Sequence, residues 1–162
     1  MLVKDCMTTD TVTCHQDEPL SSIAHKMFCG DFGAVPVLDD FNRPVAMITD
    51  RDICMTVMFK NNQPDSLYAR DVINHSLVSC SPTWEVKQAL KLMQKEQVRR
   101  LPVVDDEGKI VGLLSLSDIA TSAPFGRKKG ELKQMDFIDT FKSIAEPHTQ
   151  KSQPSVAEAE PA

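Results

Sequence analysis

The chain repeats itself. Residues 34–53 read AVPVLDDFNRPVAMITDRDI and residues 100–119 read RLPVVDDEGKIVGLLSLSDI. Pro36 and Pro102 each precede a valine and stand 66 residues apart, and Asp39-Asp40 falls on Asp105-Asp106 and Asp52-Ile53 on Asp118-Ile119 at the same offset. That offset also carries Asp5 onto Asp71, Val12 onto Val78, Cys14 onto Cys80 and Met27 onto Met93, so the register holds without an insertion from residue 4 onward. Two copies are too few for a solenoid, which usually needs about three units to bury a continuous core. They predict one compact unit with a pseudo-two-fold axis and two related surfaces.

Within the first copy, residues 11–13 are a short β-branched run read as a strand, and Leu20, Ile23, Ala24, Met27 and Phe28 fall at helical spacing. Asp17 is the expected helix N-cap, and Gly30 and Gly33 are expected to end the helix. Strands follow at 34–38 and 45–49 across a polar turn at 39–43, then a helix at 50–59. The second copy repeats the order, with a strand at 78–80, a helix at 82–95, a hairpin of 101–104 and 110–114, and a helix from 117. The fold class is therefore α+β, written β-α-β-β-α twice, with repeats at 1–59 and 69–123 and a polar linker at 60–68. The central strands are apolar at nearly every position, which predicts burial on both faces. Beyond the repeats, 124–145 places Leu132, Met135, Ile138, Phe141 and Ile144 three apart, an amphipathic helix that must dock. Residues 146–162 are polar and rich in proline, serine and alanine, and are read as a disordered tail.

At 162 residues, 41% hydrophobic and 25% charged, the chain is long enough for a core of its own. Its apolar runs are far shorter than the roughly 20 residues that cross a bilayer, and no leader pattern appears at the start, so no membrane association and a cytoplasmic location are expected. A net charge of −5 with dispersed basic residues disfavours nucleic acid as a partner. Cys6, Cys14, Cys29, Cys54 and Cys80 lack any CxxC spacing and read as free thiols, although Cys14-His15 beside another cysteine would suit zinc or redox chemistry. The four histidines show no metal-ligand spacing, so no metal site is predicted. No GxSxG, HExxH or phosphate-cradling glycine loop occurs, so no catalytic residue is assigned and an enzyme is not expected.

The doubled motif, FGAVPVLDDFNRPVAMITDRDI and VRRLPVVDDEGKIVGLLSLSDI, resembles the CBS domain pair, or Bateman module, in the style of its small stand-alone bacterial members. The resemblance covers about residues 1–122. It implies clefts between the repeats that take adenine ligands, AMP, ADP or ATP first, with NAD or S-adenosylmethionine as alternatives and no obligatory cofactor. It also implies a homodimer that acts as a regulatory module on an effector protein in trans. Under it, Asp52 and Asp118 accept ribose hydroxyls, Thr49 and Ser115 meet phosphate, and Arg51, Arg99 and Arg100 offer guanidinium forks. Val12, Val37, Val78 and Val103 form the adenine pocket. Two bland readings stand beside these: the aspartates and hydroxyls cap the final helices, and Arg99-Arg100 is a solvated strand start. The copies also differ, with Ala46 facing Gly112 and Gly33-Ala34 facing Arg99-Arg100, and the extra methyl of Ala46 is expected to crowd one cleft. The other class of function kept open is a structural or interaction module with ligand-free or metal-linked clefts.

Overall fold

The computed structural model describes residues 1–72, 77–122, 126 and 132–146. The first repeat runs β1 (Cys14–His15), α1 (Leu20–Gly30), β2 (Ala34–Leu38), β3 (Pro44–Thr49) and α2 (Asp50–Lys60). The second runs α3 (Val86–Glu96), β4 (Arg100–Val104), β5 (Ile110–Ser115) and α4 (Leu116–Ser122), and α5 (Gln134–Ala145) follows.

The offset seen in sequence is reproduced in register. Ala34 pairs with Thr49 and Val37 with Ala46, as Arg100 pairs with Ser115 and Val103 with Gly112. Both hairpins carry an irregularity at the same place, between Val37 and Leu38 and between Val103 and Val104. Cys14 lies parallel beside Val37, and Cys80 bridges Val103 in the same sense. The expected strand at 11–13 does not form there and is replaced by Cys14–His15, and the one at 78–80 shrinks to the single bridge at Cys80. The expected burial on both faces holds for β2 along its whole length and for the middle of β4, but β3 and β5 alternate between buried and half-buried residues.

The repeats exchange their first residues. Val3 N–H donates to the Trp84 carbonyl at 2.8 Å, Lys4 N–H to the Pro82 carbonyl at 3.0 Å, and Val86 N–H to the Met1 carbonyl at 3.1 Å. The mirror set joins Ala69 N–H to Glu18 (3.0 Å), Arg70 N–H to Gln16 (2.9 Å) and Leu20 N–H to Leu67 (2.8 Å). Each repeat opens with a strap that lies on the other repeat. The two hydrophobic cores follow this exchange: Val3 and Cys6 are buried with Leu90, Met93, Leu101 and Ile119, while Leu67, Ala69 and Val72 are buried with Leu20, Ile23, Val37 and Ile48.

This exchange corrects the expected helix starts. The first amide of a helix lacks an intrahelical partner, and here a strap carbonyl supplies one, so neither α1 nor α3 has a side-chain N-cap bond from its cap residue, Pro19 or Glu85. Asp17 instead pairs with Arg70, whose guanidinium stacks 4.7 Å over Tyr68. Residues 82–84, read as helix, instead form a turn closed by Trp84 N–H on the Ser81 carbonyl at 3.1 Å, Glu85 is extended and bridges Leu2, and α3 begins at Val86. At the other end α1 closes on Asp31 in the left-handed region at φ 52°, not on a glycine, and α3 closes likewise on Gln97 at φ 54°.

The expected apolar stripe of the C-terminal helix divides. Leu132 and Ile144 are buried and Phe137 packs on the second core, whereas Met135, Ile138 and Phe141 remain exposed. Thr140, not on the predicted stripe, is buried and bonds the Asp136 carbonyl at 2.8 Å. The helix docks on α3 of its own chain: Lys87 Nζ sits 3.0 Å from Asp136, Gln97 donates to the Ser143 carbonyl at 3.0 Å, and Ser143 Oγ to the Gln94 carbonyl at 3.2 Å. Among the described residues no helix covers the equivalent face of the first repeat, and Phe28, Met58 and Phe59 are 86%, 73% and 75% exposed. Apart from Glu146, the tail read as disordered lies outside the described residues.

Candidate functional site

Each hairpin delivers its hydroxyl to the start of a helix. β3 ends at Thr49 and α2 begins at Asp50, and β5 ends at Ser115 with α4 starting at Leu116. The two turns are built alike. Asp52 N–H donates to Thr49 Oγ1 at 3.2 Å, and Asp52 Oδ2 accepts from Thr49 N–H at 2.9 Å and from Thr49 Oγ1 at 2.7 Å. Asp118 N–H donates to Ser115 Oγ at 3.1 Å, and Asp118 Oδ2 accepts from Ser115 N–H at 2.8 Å and Ser115 Oγ at 2.7 Å. This is a reciprocal capping box with aspartate in the third helical position, where Glu or Gln is the usual choice. The shorter aspartate turns Oδ2 back onto the turn, and all four residues remain half-buried. A hydroxyl and a carboxylate are thereby held in one fixed pose at a helix start.

The surroundings of the two boxes differ. In the first, the residues beside the box are Gly33 and Ala34, and the Asp50 carboxylate sits where a side chain on Gly33 would be, 3.1 Å from such a Cβ. In the second, Arg100 is the strand partner of Ser115, and the Arg99 carbonyl accepts the Leu116 N–H at 3.0 Å. Arg51 and Arg99 are exposed and Arg100 is half-buried. The negative charge of Asp118 also reaches Cys6 on the strap: burial first, then Asp118 and Asp5, push that thiol up. The second box thus lies beside the backbone of Arg99 and Arg100, where the first has Gly33 and Ala34, and its aspartate is close enough to act on Cys6 of the first repeat's strap.

The apolar residues expected to line an adenine pocket separate into two kinds. Val12 is 42% exposed and Val78 is half-buried against the second core, whereas Val37 and Val103 are fully buried within the cores and present no surface. Gly112 makes room for a close approach within the chain. A Cβ on Gly112 would lie 2.8 Å from the Thr8 carbonyl oxygen and 2.9 Å from Met7 Sδ, because Thr8 pairs with the neighbouring Leu113 as an added edge strand. An open groove of about 510 Å³ lies between α1 and α2 and reaches the first box at Gly33 and Asp50, with Met27, Phe28, Ile53 and Cys54 also lining it.

Cys14-His15 is not arranged for metal. Cys14 is buried, its Sγ lies 3.7 Å from the Pro36 carbonyl, and burial pushes the thiol up to about 12, while His15 Nε2 meets Asp40 at 3.0 Å. Among the described residues, no three His, Cys, Asp or Glu side chains converge on a metal site. Among them, too, no helix is long and apolar enough to cross a membrane.

Two units of hairpin and helix that trade their opening straps and each present a capped hydroxyl-x-x-Asp turn define a tandem α+β module. The CBS domain family matches residues 3–58 and 69–123, and the chain belongs to that family, with two CBS domains in tandem. It is 34% identical over 116 residues to the uncharacterized protein MK0525 of Methanopyrus kandleri, a match spanning 72% of this chain and 59% of that protein. It is 30% identical over 121 residues to hypoxic response protein 1 of Mycobacterium tuberculosis, spanning 75% of this chain and 84% of that one. Among solved structures, the CBS domain pair of protein MJ0100 in complex with 5′-methylthioadenosine and S-adenosyl-L-methionine superposes with a TM-score of 0.66 at 22% identity, over 75% of this chain and 98% of that one. CBSX2 in complex with AMP gives a TM-score of 0.65 at 20% identity, over 74% and 93%.

Proposed function

We propose that the protein is a regulatory module that binds an adenine nucleotide or nucleoside at the second box and acts on an effector in trans, without chemistry of its own. The observation that carries this reading is the Ser115–Asp118 box flanked by Arg99 and Arg100. A phosphate would be met there by the Ser115 hydroxyl and the guanidinium forks, and the ribose diol by Asp118. Val78 and Val12 would supply apolar wall. The first box, with Thr49, Asp52 and Arg51, is the weaker site, because Asp50 adds a carboxylate beside it. The ligands of MJ0100 and CBSX2 support the adenine class.

A ligand at Asp118 would also bear on Cys6 and its strap, which joins the two repeats. Such a ligand shifts the arrangement of the repeats only as far as it binds one arrangement better. The module is proposed to work as a homodimer through the bare helical face of the first repeat, since α5 occupies the corresponding face of the second.

The test is thermal stability against AMP, ADP, ATP, NAD and S-adenosylmethionine. Ligand at a hundred times its Kd adds about 2.7 kcal/mol, which at about 2–4 °C per kcal/mol is a rise of about 5–11 °C. The rise should disappear in Asp118→Asn and survive in Asp52→Asn. A flat response to all five ligands would overturn the reading. It would favour instead an interaction module in which both aspartates serve only as caps, a role their Oδ2 atoms already fill.

A further inference from the structure

Helix α1 carries a pair of metal-ligating side chains that none of the foregoing uses. His25 and Cys29 are one helical turn apart, both exposed, with Cys29 Sγ 3.5 Å from His25 Nε2 and 4.0 Å from Nδ1. Residues four apart on a helix share a face, so the pair is held by the backbone. On a tetrahedral zinc ion, with Zn–S about 2.3 Å and Zn–N about 2.0–2.1 Å, a sulfur and a nitrogen ligand stand about 3.6 Å apart. The Sγ–Nε2 edge already has that length, and a thiolate with an imidazole is a ligand set suited to zinc.

Two ligands leave half the coordination sphere empty, and no third converges among the described residues of this chain. Two neighbours supply context. Phe28, next to Cys29, is 86% exposed, and the same face in the second repeat is the one α5 covers. A second copy related by a two-fold axis sets each residue against its own counterpart. It would cover the bare face and place its own His25 and Cys29 in the two open positions.

We propose that the protein binds zinc between two copies of α1, each copy contributing His25 Nε2 and Cys29 Sγ to a closed His₂Cys₂ site. On binding, each Cys29 loses its thiol proton to solvent and each His25 binds as the neutral ring. The ion and two thiolates sum to zero charge, compatible with the apolar surface around them. This inference rests on the homodimer part of the proposed function and names what closes that dimer.

The experiment uses full-length, reduced, metal-free protein titrated with cobalt(II) and then zinc, with absorption and sedimentation followed together. The expected result is the visible band set of tetrahedral thiolate-bound cobalt, saturating at one metal per two chains and displaced by zinc, with dimer strengthened by metal. Cys29→Ser and His25→Ala should lose the bands while keeping the thermal transition of the parent, and Cys54→Ser should keep them. Saturation at one metal per chain, bands that persist in Cys29→Ser, or no bands at all would each overturn the site. A dimer that forms without metal and takes none would remove the zinc and spare the dimer reading. A monomer with and without metal would remove both.

Discussion

Val3 belongs to the first repeat by sequence and to the second by energy. It is fully buried in the cluster that holds Leu90, Met93, Leu101 and Ile119. Val3→Ala deletes two buried carbons, worth about 1.6 kcal/mol at about 0.8 kcal/mol each, and the residual cavity brings the loss to about 1.5–3 kcal/mol. By hydrogen exchange, where each 1.4 kcal/mol is tenfold, amides of α3 and β4 should lose roughly ten- to hundredfold protection wherever they open with their own core. Those of α1 and β2, 66 residues closer to the substitution in sequence than their counterparts α3 and β4, should change least. Leu67→Ala, on the other strap at the position equivalent to Met1 and buried, should give the opposite map, with the first repeat losing about 2–5 kcal/mol. Greater loss in α1 and β2 than in α3 and β4 on Val3→Ala would refute the assignment of the strap to the second core.

Three further outcomes are expected. Gly112→Ala should lower stability by about 1–3 kcal/mol, because its Cβ meets the Thr8 carbonyl at 2.8 Å; an unchanged melting temperature would show that the added edge at Thr8 does not form. Asp136 and Asp71 both sit below the ordinary carboxylate value of 3.8: burial opposes the shift at Asp136, but hydrogen bonds from Lys133 N–H and Lys87 outweigh it, and the Tyr68 N–H leads at Asp71. Their contribution is therefore fully present above about pH 4 and lost as pH falls below it, where the unfolded chain binds more protons; a melting temperature measured from pH 6 to pH 2 should fall less steeply in Asp136→Asn. Cys14 and Cys80, both pushed up to about 12 chiefly by burial, should resist alkylation at pH 8, whereas the exposed Cys29 and Cys54 react; equal labelling of Cys14 and Cys54 in native protein would contradict the burial.

What the sequence made legible was what repeats. Pro36 and Pro102, the paired aspartates and the hydroxyl-x-x-Asp turns kept their offset, and the hairpins, their register and the family follow from them. What it hid was non-local. Asp17 has the right chemistry for a cap, but the strap from residue 67 reaches the first amide of α1 before a side chain is needed. Residues 82–85 carry helix-like polarity, yet their backbone is committed to Met1–Lys4. The C-terminal helix was visible as a periodic pattern, but which edge of it faces α3 depends on Lys87, Gln94 and Gln97, positions that no period in the helix itself records. The glycine at 112 was visible and its reason was not, since the atom it makes room for belongs to Thr8, about a hundred residues away.

The crossed straps also set an order on synthesis. The first repeat can close once Leu67, Ala69 and Val72 have been made. Residues 1–8 have no resting place until Trp84 and Leu113 follow. At about 5–20 residues per second the wait is on the order of four to twenty seconds. During it the nascent chain carries an uncovered apolar strap, Leu2, Val3 and Cys6, whose partner is still being translated, and a pause or truncation before residue 84 leaves that strap free for another chain's second repeat to capture.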